Sequence, residues 1–302
     1  MPIGDPVNRY IYDLFKYDTH VSFEFFPPKT NQGRKQIYQS IAKLKDMNPD
    51  FFSVTYGAGG TTAETSLEIA TALTNLAQVT CVAHITCVGM NRSEVKSLLE
   101  LLEFHGITNV LALRGDPPQG QTEFVKPDDG FAYASELVSF IRDNSNMGIL
   151  VAGYPEGHKD NPDKEDDFKH LLEKINAGAN GIITQLFFDN RYLLDFSNRL
   201  KGAGVDIPVI AGIFPISNGK QIQRITELSG ATIPDDLLAA IEKYGDSPTE
   251  MELIGTDYAV KQVTELLEAG ITHFHFYTMN RHDQTRKILY QLKHYFPRLN
   301  FV

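Results

Sequence analysis

An apolar hexapeptide, VSFEFF, occupies residues 21–26, and seven runs of the same kind follow it along the chain. Each run ends in polar or glycine-rich residues and precedes a stretch whose apolar side chains have helical spacing. The later runs are FFSVTYG (51–57), TCVAHITC (80–87), NVLALRGD (109–116), GILVAGY (148–154), GIITQLFF (181–188), PVIAGIF (208–214) and HFHFYTMN (273–280). Strand and helix alternating eight times indicate an α/β fold, the (β/α)8 TIM barrel, whose active site lies at the carboxyl ends of its strands.

The segments outside the eight units are also interpretable. Residues 1–20 are expected to form a short N-terminal helix and a lead-in to the first strand. The widest gap, between the seventh and eighth runs, has room for two or three extra helices. An eight-fold barrel needs about 250 residues and commonly carries insertions. We therefore interpret residues 1–302 as a single catalytic barrel domain.

Composition narrows the classes of protein that the chain can represent. Its 42% hydrophobic and 22% charged residues are ordinary for a protein that buries a large core. The net charge of −10, without clustered lysine and arginine, argues against a nucleic-acid partner. We find neither a signal peptide nor a membrane span, so we expect a cytoplasmic location. Cys81 and Cys87 share one predicted strand about 20 Å apart, too far for a disulfide.

Glu24 is the first candidate catalytic residue. Side chains alternate along a strand, so Phe23 and Phe25 share one face and Glu24 takes the other. If the phenylalanines pack beneath the outer helices, Glu24 points into the barrel mouth. A carboxyl surrounded by apolar groups has a raised pKa and can act as a general acid near neutrality. The alternative is a structural pair between Glu24 and a buried arginine.

Polar residues also close other strands. Arg114-Gly115-Asp116 ends the fourth run, where Gly115 lets a ligand approach the backbone closely. An ion pair between Arg114 and Asp116 that braces the rim is the alternative interpretation. Four further polar residues lie toward the carboxyl ends of their own strands: Thr55, His84, Tyr154 and Gln185. Because such ends meet at one rim of a barrel, these residues together predict a binding site.

Two other patterns in the sequence bear on metal and dinucleotide binding. His273 and His275 share a strand face and could bind a metal, but no carboxylate or third histidine stands at a supporting spacing. We therefore predict no metal. The Gly57-Ala58-Gly59-Gly60 loop does not match the G-x-G-x-x-G fingerprint of a Rossmann domain. Any dinucleotide is therefore expected at the barrel rim.

Seven motifs, taken together, resemble those of the methylenetetrahydrofolate reductase family in order and spacing, from about Val21 to about Arg281. They are VSFEFFPPK, FFSVTYGAGG, AHITC, LALRGDPP, YPEGH, GIITQLFFD and HFYTMNR. The resemblance implies a barrel that carries tightly bound, non-covalent FAD without a Rossmann domain. It also implies reduction of 5,10-methylenetetrahydrofolate to 5-methyltetrahydrofolate by NADH or NADPH, in a ping-pong mechanism that supplies methyl groups for methionine synthesis. The expected form is a bacterial-type catalytic barrel without an allosteric domain, assembled as a homo-oligomer.

The resemblance also implies roles for individual residues. Glu24 matches the general acid that protonates N5 of the folate, Asp116 a carboxylate near the flavin and pterin, and Gln185 an amide that orients pterin and nicotinamide. Positions that match flavin contacts are Thr55, Tyr56, Ala58, His84, Arg114, Gly115, Asp116, Tyr133, Ala134, Tyr154 and His158. Asp167, His170 and Lys174 are spaced to share one helix face and to reach the ribityl and phosphate part of FAD. Gln221 and Arg281 match positions near nicotinamide and folate.

The sequence departs from the family pattern at one site position, and two other functions are alternatives to the one that the resemblance implies. Ile225 stands where some members of the family have an aromatic side chain over the substrate. The first rival is a flavin-free, pterin-binding methyltransferase barrel, which would be colourless when purified. The second is a non-catalytic barrel that only binds folate or flavin, which would gain nothing from a poised Glu24. No motif distinguishes NADH from NADPH.

Overall fold

In the computed structural model, which describes residues 9–15, 19–56, 61–116 and 124–301 (61 and 62 by backbone only), eight parallel strands close into a barrel in chain order. The strands are β1 His20–Phe25, β2 Phe51–Val54, β3 Cys81–Thr86, β4 Asn109–Leu113, β5 Gly148–Gly153, β6 Gly181–Thr184, β7 Val209–Ile213 and β8 His273–Tyr277. The barrel closes where β1 pairs with β8, from His20 opposite His273 to Glu24 opposite Tyr277. The predicted (β/α)8 fold is confirmed.

Helices follow the strands around the outside of the barrel. They are α1 Ile11–Leu14, α2 Asn31–Lys45, α3 Thr61–Asn75, α4 Arg92–Phe104, α5 Ala134–Asn144, α6 Lys164–Asn176, α7 Asn190–Gly202, α8 Gly219–Ser229, α9 Asp235–Tyr244, α10 Pro248–Glu268 and α11 Asp283–Gln291. The predicted N-terminal helix is α1, which has only four residues. Helices α8, α9 and α10 are the extra helices predicted between the last two strands.

The strands end earlier than the apolar runs that predicted them. The run GIITQLFF extends to Phe188, whereas β6 ends at Thr184. Phe187 and Phe188 are buried beyond the sheet, where their carbonyl oxygens accept hydrogen bonds from Gln262 Nε2 (2.8 Å) and Tyr258 Oη (2.6 Å) of α10. The apolar character of these residues therefore reflects packing against a helix rather than strand pairing.

Helix α1 closes the amino-terminal end of the barrel. Its Ile11 and Leu14 pack against a ring of inward-facing strand residues: Phe51, Val82, Leu111, Leu150, Ile183 and Ile210. The Ile11 amide donates a hydrogen bond to Asn109 Oδ1 (2.6 Å). A Cβ at Gly148 would collide with both Ile11 and Asn109, so the missing side chain lets the helix approach β5. A ligand site is left to the carboxyl end of the barrel.

Asp50, just before β2, ties the C-terminal segment to this closed end. Its buried carboxylate accepts from the Val21 amide (2.9 Å) and lies 3.0 Å from Arg298 Nη1 and 3.3 Å from His20 Nδ1. Burial raises the pKa of Asp50, but His20, Arg298 and the Val21 N–H together outweigh it, so the net shift is downward. The carboxylate form is thus the form that stabilises the fold.

Asp50→Asn is expected to lower the free energy of unfolding at pH 7 by about 1.5 kcal/mol, the low end of the range for a charge-assisted hydrogen bond because Arg298 is partly exposed. Because the folded-state pKa is depressed, this stability is present above the unfolded pKa of about 3.9 and is lost as the pH falls through the folded pKa. Urea denaturation at pH 7 and below pH 4 measures both effects. Asp206→Asn, at an exposed aspartate, is the control. Equal losses at both pH values would contradict this assignment.

The two cysteines lie in the interior of the barrel protein. Cys81 and Cys87 are both free and buried, which confirms that they do not pair with each other. Burial raises the pKa of each thiol to about 12. Within the described ranges, every helix is too short or too polar to cross a bilayer.

Candidate active site

A cavity of about 800 Å³ opens at the carboxyl ends of the strands. Its wall contains most of the residues predicted for catalysis and for the flavin ring: Glu24, Thr55, Tyr56, His84, Arg114, Gly115, Asp116, Tyr154, His158 and Gln185. These residues come from β1, from the ends of β2, β3 and β4, and from the segments that follow β5 and β6. The structure therefore brings them together, as the rim of a parallel barrel does.

A second cavity, of about 340 Å³, adjoins the first. Both are lined by Leu113, Arg114, Ala152, Tyr154 and His158, which form a shared wall. The second cavity also contains the remaining described residues predicted for cofactor binding: Tyr133, Ala134, Asp167, His170 and Lys174. Together the two cavities form an elongated site that runs from Glu24 outward to α6.

Strand alternation explains why Glu24 faces the cavity. Phe23 and Phe25 are fully buried in the core beneath the helices, whereas Glu24 is 17% exposed and lines the cavity. Its register neighbours are Ser53 of β2 and Tyr277 of β8. The carboxyl group therefore stands on the inner face of the barrel.

The surroundings of Glu24 correct two expectations. Glu24 Oε2 lies 3.6 Å from His84 Nε2 and 3.6 Å from His275 Nε2, so its polar neighbours are imidazoles and not a buried arginine. Burial raises the pKa of Glu24, but His275, His84 and the Ser53 hydroxyl stabilise the carboxylate more strongly, so the net shift is downward. The predicted raised pKa is wrong because imidazole rings and a hydroxyl group, and not apolar groups, lie next to the carboxyl.

His275 is held rigidly behind Glu24. Its side chain is fully buried, with Nδ1 2.7 Å from Ser22 Oγ and Nε2 3.2 Å from Ser53 Oγ. His273, two residues earlier, lies toward the closed end of the barrel and stacks on Phe15 with ring centroids 5.2 Å apart. The two histidines therefore lie in different environments and do not share a ligand site. Among the described residues no group of three His, Cys, Asp or Glu side chains could hold a metal.

Two buried polar atoms in the large cavity lack hydrogen-bond partners among the described residues: His84 Nε2 and Thr86 Oγ1. Burial lowers the pKa of His84 to about 4, so its ring is neutral near pH 7. Leaving a buried polar atom unpaired costs about 1–3 kcal/mol. A polar ligand in this cavity would satisfy both atoms.

Tyr277 forms a further part of the wall and was not predicted as a site residue. Its hydroxyl donates a hydrogen bond to the Thr184 carbonyl oxygen (2.6 Å). The ring crosses β7 at Gly212, where a Cβ would collide with the Tyr277 ring and with that carbonyl oxygen. Burial and the nearby Glu24 raise the pKa of Tyr277 well above its usual value. The alternation that places Glu24 inward also places His275 and Tyr277 inward, a signal that could have identified both.

The second cavity combines a buried cation with a helix terminus. Lys174 Nζ donates a hydrogen bond to the Ala152 carbonyl oxygen (2.6 Å), and burial lowers its pKa to about 8. Helix α5 begins after Tyr133 without a side-chain cap, so the N–H groups of Ala134 and Ser135, which line this cavity, are suited to an anion. His170 stacks on Tyr133 with centroids 5.4 Å apart. This arrangement suits a phosphate-bearing ligand.

Some residues predicted for the site do not line either of these two cavities. Gln221 and Arg281 line a separate cavity of about 290 Å³, where Gln221 Oε1 accepts a hydrogen bond from Ser217 Oγ (2.6 Å). Ile225 packs into an apolar cluster beneath α8, while Leu228, one turn later, lines the large cavity. Ala58 lies outside the described residues.

The interpretation of Arg114 and Asp116 as a pair that braces the rim is wrong. Arg114 Nη2 lies 3.8 Å from Asp160 Oδ2 and thus pairs with the loop after β5. Asp116 is exposed at the rim, where it lines the large cavity and is not the ion-pair partner of Arg114. Its carboxylate therefore remains available to a ligand.

A family model and individual relatives agree on the family to which the chain is similar. A family model described as methylenetetrahydrofolate reductase matches residues 10–293. Methylenetetrahydrofolate reductase (NADH) 1 of Arabidopsis thaliana is 40% identical over 273 residues, which are 87% of this chain and 46% of the plant protein. The 5,10-methylenetetrahydrofolate reductase of Escherichia coli K12 is 34% identical over 273 residues, 90% of each chain. The chain thus spans about half the length of its plant relatives and most of its bacterial relatives.

A solved structure supports the fold independently. An uncharacterized protein from Clostridium thermocellum, described as binding two copies of 5-methyl-5,6,7,8-tetrahydrofolic acid, superposes with a TM-score of 0.63 at 16% sequence identity. The match covers 93% of this chain and 97% of that protein. At this identity the likeness concerns the barrel alone.

Proposed function

The chain belongs to the methylenetetrahydrofolate reductase family, and we propose that it reduces 5,10-methylenetetrahydrofolate to 5-methyltetrahydrofolate with NADH or NADPH and a bound FAD. The product would supply methyl groups for methionine synthesis. One observation carries the proposal: Glu24 stands in the wall of a large cavity that is also lined by Asp116, Gln185 and most of the residues that the family resemblance assigns to the flavin ring. A rim of converging polar groups around one carboxyl is suited to proton transfer.

The residues that line the two cavities support the binding of a flavin dinucleotide. Thr86 Oγ1 and His84 Nε2, which lies 3.6 Å from Glu24 Oε2, have no hydrogen-bond partner among the described residues and would suit the polar edge of a ring system. Lys174 and the uncapped start of α5 offer a cation and free N–H groups to a diphosphate at the far end. The chemistry that FAD would supply when bound by these residues is hydride transfer between nicotinamide and folate.

The protein's own residues would then hold the substrate and move one proton. Glu24 would donate that proton to N5 of the folate, which opens the five-membered ring. Gln185 Oε1 is occupied by the Leu186 amide (2.9 Å), so its Nε2 group is the part available to a substrate in the cavity. Asp116, at the rim, would place a negative charge beside the reacting rings, which favours a cationic folate intermediate.

Two observations on the purified protein test the proposal. We expect a yellow protein whose flavin absorption bleaches anaerobically on addition of NADH or NADPH and returns on addition of 5,10-methylenetetrahydrofolate. Chromatography should show one equivalent of 5-methyltetrahydrofolate per flavin reoxidised. A colourless protein that neither binds FAD nor oxidises NADH or NADPH would overturn the proposal in favour of a flavin-free barrel.

Asp116→Asn is expected to raise the reduction potential of the bound flavin, because removal of a nearby negative charge stabilises the anionic reduced form. Folate reduction should slow by roughly tenfold, since the same charge stabilises the cationic intermediate. Spectroelectrochemistry and stopped-flow reoxidation measure the two effects. Asp128→Asn, at an exposed aspartate outside both cavities, is the control. An unchanged potential would remove Asp116 from this role.

A further inference from the structure

The backbone after Glu24 is held by a loop from the far end of the chain. The paired register of β1 and β8 ends at Glu24 opposite Tyr277. Beyond that point Thr278 Oγ1 donates a hydrogen bond to the Glu24 carbonyl oxygen (2.6 Å). Thr278 is 4% exposed, so this bond is shielded from water. The loop therefore extends the contact between the two strands past the last paired residue.

Asn280 continues this contact two residues later. Its Oδ1 accepts from the Phe26 amide (3.0 Å), and its Nδ2 donates to the Phe26 carbonyl oxygen (2.8 Å). The side-chain amide thus satisfies both polar groups of one residue, as a neighbouring strand would. Only a side-chain amide offers a donor and an acceptor in this arrangement.

The backbone of Asn280 is itself fixed in an uncommon conformation. Met279 and Asn280 have φ values of 51° and 57°, in the left-handed region that asparagine tolerates better than most residues. The Asn280 carbonyl oxygen accepts from Ser40 Oγ (2.9 Å) and from Gln36 Nε2 (3.4 Å), both of α2. The loop after β8 is therefore bonded both to Phe26, at the start of the segment that links β1 to α2, and to α2 itself.

That linking segment is part of the site. Phe26 is 36% exposed, and with Pro27 and Lys29 it lines the same cavity as Glu24. No residue of the loop 278–280 lines this cavity, so the loop acts on the site through Tyr277, which precedes it, and through its bonds to Glu24 and Phe26. Resting on the proposed function, we propose that Thr278 and Asn280 are positioning residues, which fix the Glu24 carboxyl and the Phe26 wall for the folate half-reaction.

The test compares variants of the holoenzyme. Asn280→Asp keeps the shape and the left-handed backbone but replaces the Nδ2 donor with a carboxylate oxygen, which cannot donate to the Phe26 carbonyl. Asn280→Gly removes both bonds to Phe26, and Thr278→Val removes the bond to Glu24. Asn48 provides the matched control, because it is exposed and has a φ of 59°. Asn48→Asp and Asn48→Gly therefore report the effect of each change at a left-handed asparagine remote from the site.

We expect flavin reoxidation by 5,10-methylenetetrahydrofolate to slow roughly tenfold in the Asn280 and Thr278 variants, as small misplacements of reacting groups do. Bleaching by NADH or NADPH should remain within about twofold of the parent, because Glu24 has no proton to give in that step. The ¹³C-carboxyl titration of Glu24 should move to higher pH as the contact with His275 loosens.

The outcomes separate the two claims. Equal slowing of both half-reactions, or an unmoved Glu24 titration in all three variants, would overturn the positioning role. A parent protein that lacks folate reduction, together with a Glu24 titration that moves in the variants, would overturn the proposed reaction and leave Thr278 and Asn280 as residues that position Glu24.

Discussion

Glu24→Gln is expected to slow folate reduction by about 10²- to 10⁴-fold while NADH or NADPH still bleaches the bound flavin. Glutamine keeps the volume of the side chain and a polar end group beside His84 and His275, but it has no proton to give to N5 of the folate. The nicotinamide step needs no proton donor. Rapid-mixing experiments that follow flavin bleaching and flavin reoxidation separately therefore distinguish the two steps.

Glu68→Gln is the matched control, because Glu68 is a 46% exposed carboxylate on α3 that pairs with Arg34 away from both cavities. It should leave both half-reactions unchanged. Comparable losses of both half-reactions in Glu24→Gln would show that Glu24 supports the site as a whole, and the assignment as general acid would fail.

The lowered pKa of Glu24 adds a pH dependence to this prediction. The donor is the protonated acid, so a lowered pKa leaves only a small protonated fraction near neutrality, and folate reduction should accelerate as the pH falls. A substrate that displaces water from the cavity desolvates the carboxylate and raises its pKa toward the working range. His84, with a pKa of about 4, stays neutral above pH 5 and does not account for a titration there. The pH dependence should disappear in Glu24→Gln.

The barrel itself follows from local sequence information. Each apolar run is short enough to be a strand, and each is followed by a helical pattern, so the order of elements can be read without knowledge of long-range contacts. The same alternation places Glu24 on the inner face opposite Phe23 and Phe25. The local pattern overestimated strand length, because residues such as Phe187 are apolar and buried although they lie beyond the end of β6.

The neighbours of Glu24 could not be predicted in this way. His84 and His275 reach the carboxylate from β3 and β8, and no local pattern encodes which inward side chains meet at one level of a barrel. The predicted apolar pocket was therefore wrong, although the residue itself faces the cavity. The role of Asn280 could not be predicted either, although the residue belongs to the HFYTMNR motif. Its contact with Phe26 joins opposite ends of the chain, and no local pattern shows such a contact.

The predicted site residues are divided among three cavities, and only part of this division could be predicted from local sequence patterns. Asp167, His170 and Lys174 share a helix face, and that spacing is local, so their convergence on one cavity could be foreseen. Gln221 and Arg281 depend on how α8 and the loop after β8 sit above the barrel, which is set by tertiary packing. They consequently line a different cavity from Glu24.

Lys174→Met is expected to weaken FAD binding by about 10²-fold, the effect of losing a charge-assisted hydrogen bond to phosphate in a partly buried site. Methionine preserves the apolar stem of the lysine, and Lys169→Met, on an exposed position of the same helix, controls for the substitution. Fluorescence quenching on titration of apoprotein with FAD and with riboflavin measures the effect. Riboflavin lacks phosphate, so its affinity should not change.

Because burial lowers the pKa of Lys174 to about 8, the cationic form is lost as the pH rises above that value, and the affinity for FAD should fall with it in the parent protein. The Lys174→Met protein should show no such fall. An equal loss of FAD and riboflavin affinity would mean that Lys174 acts by bracing β5 through the Ala152 carbonyl rather than by binding phosphate. The two ligands therefore separate an electrostatic role for the second cavity from a structural one.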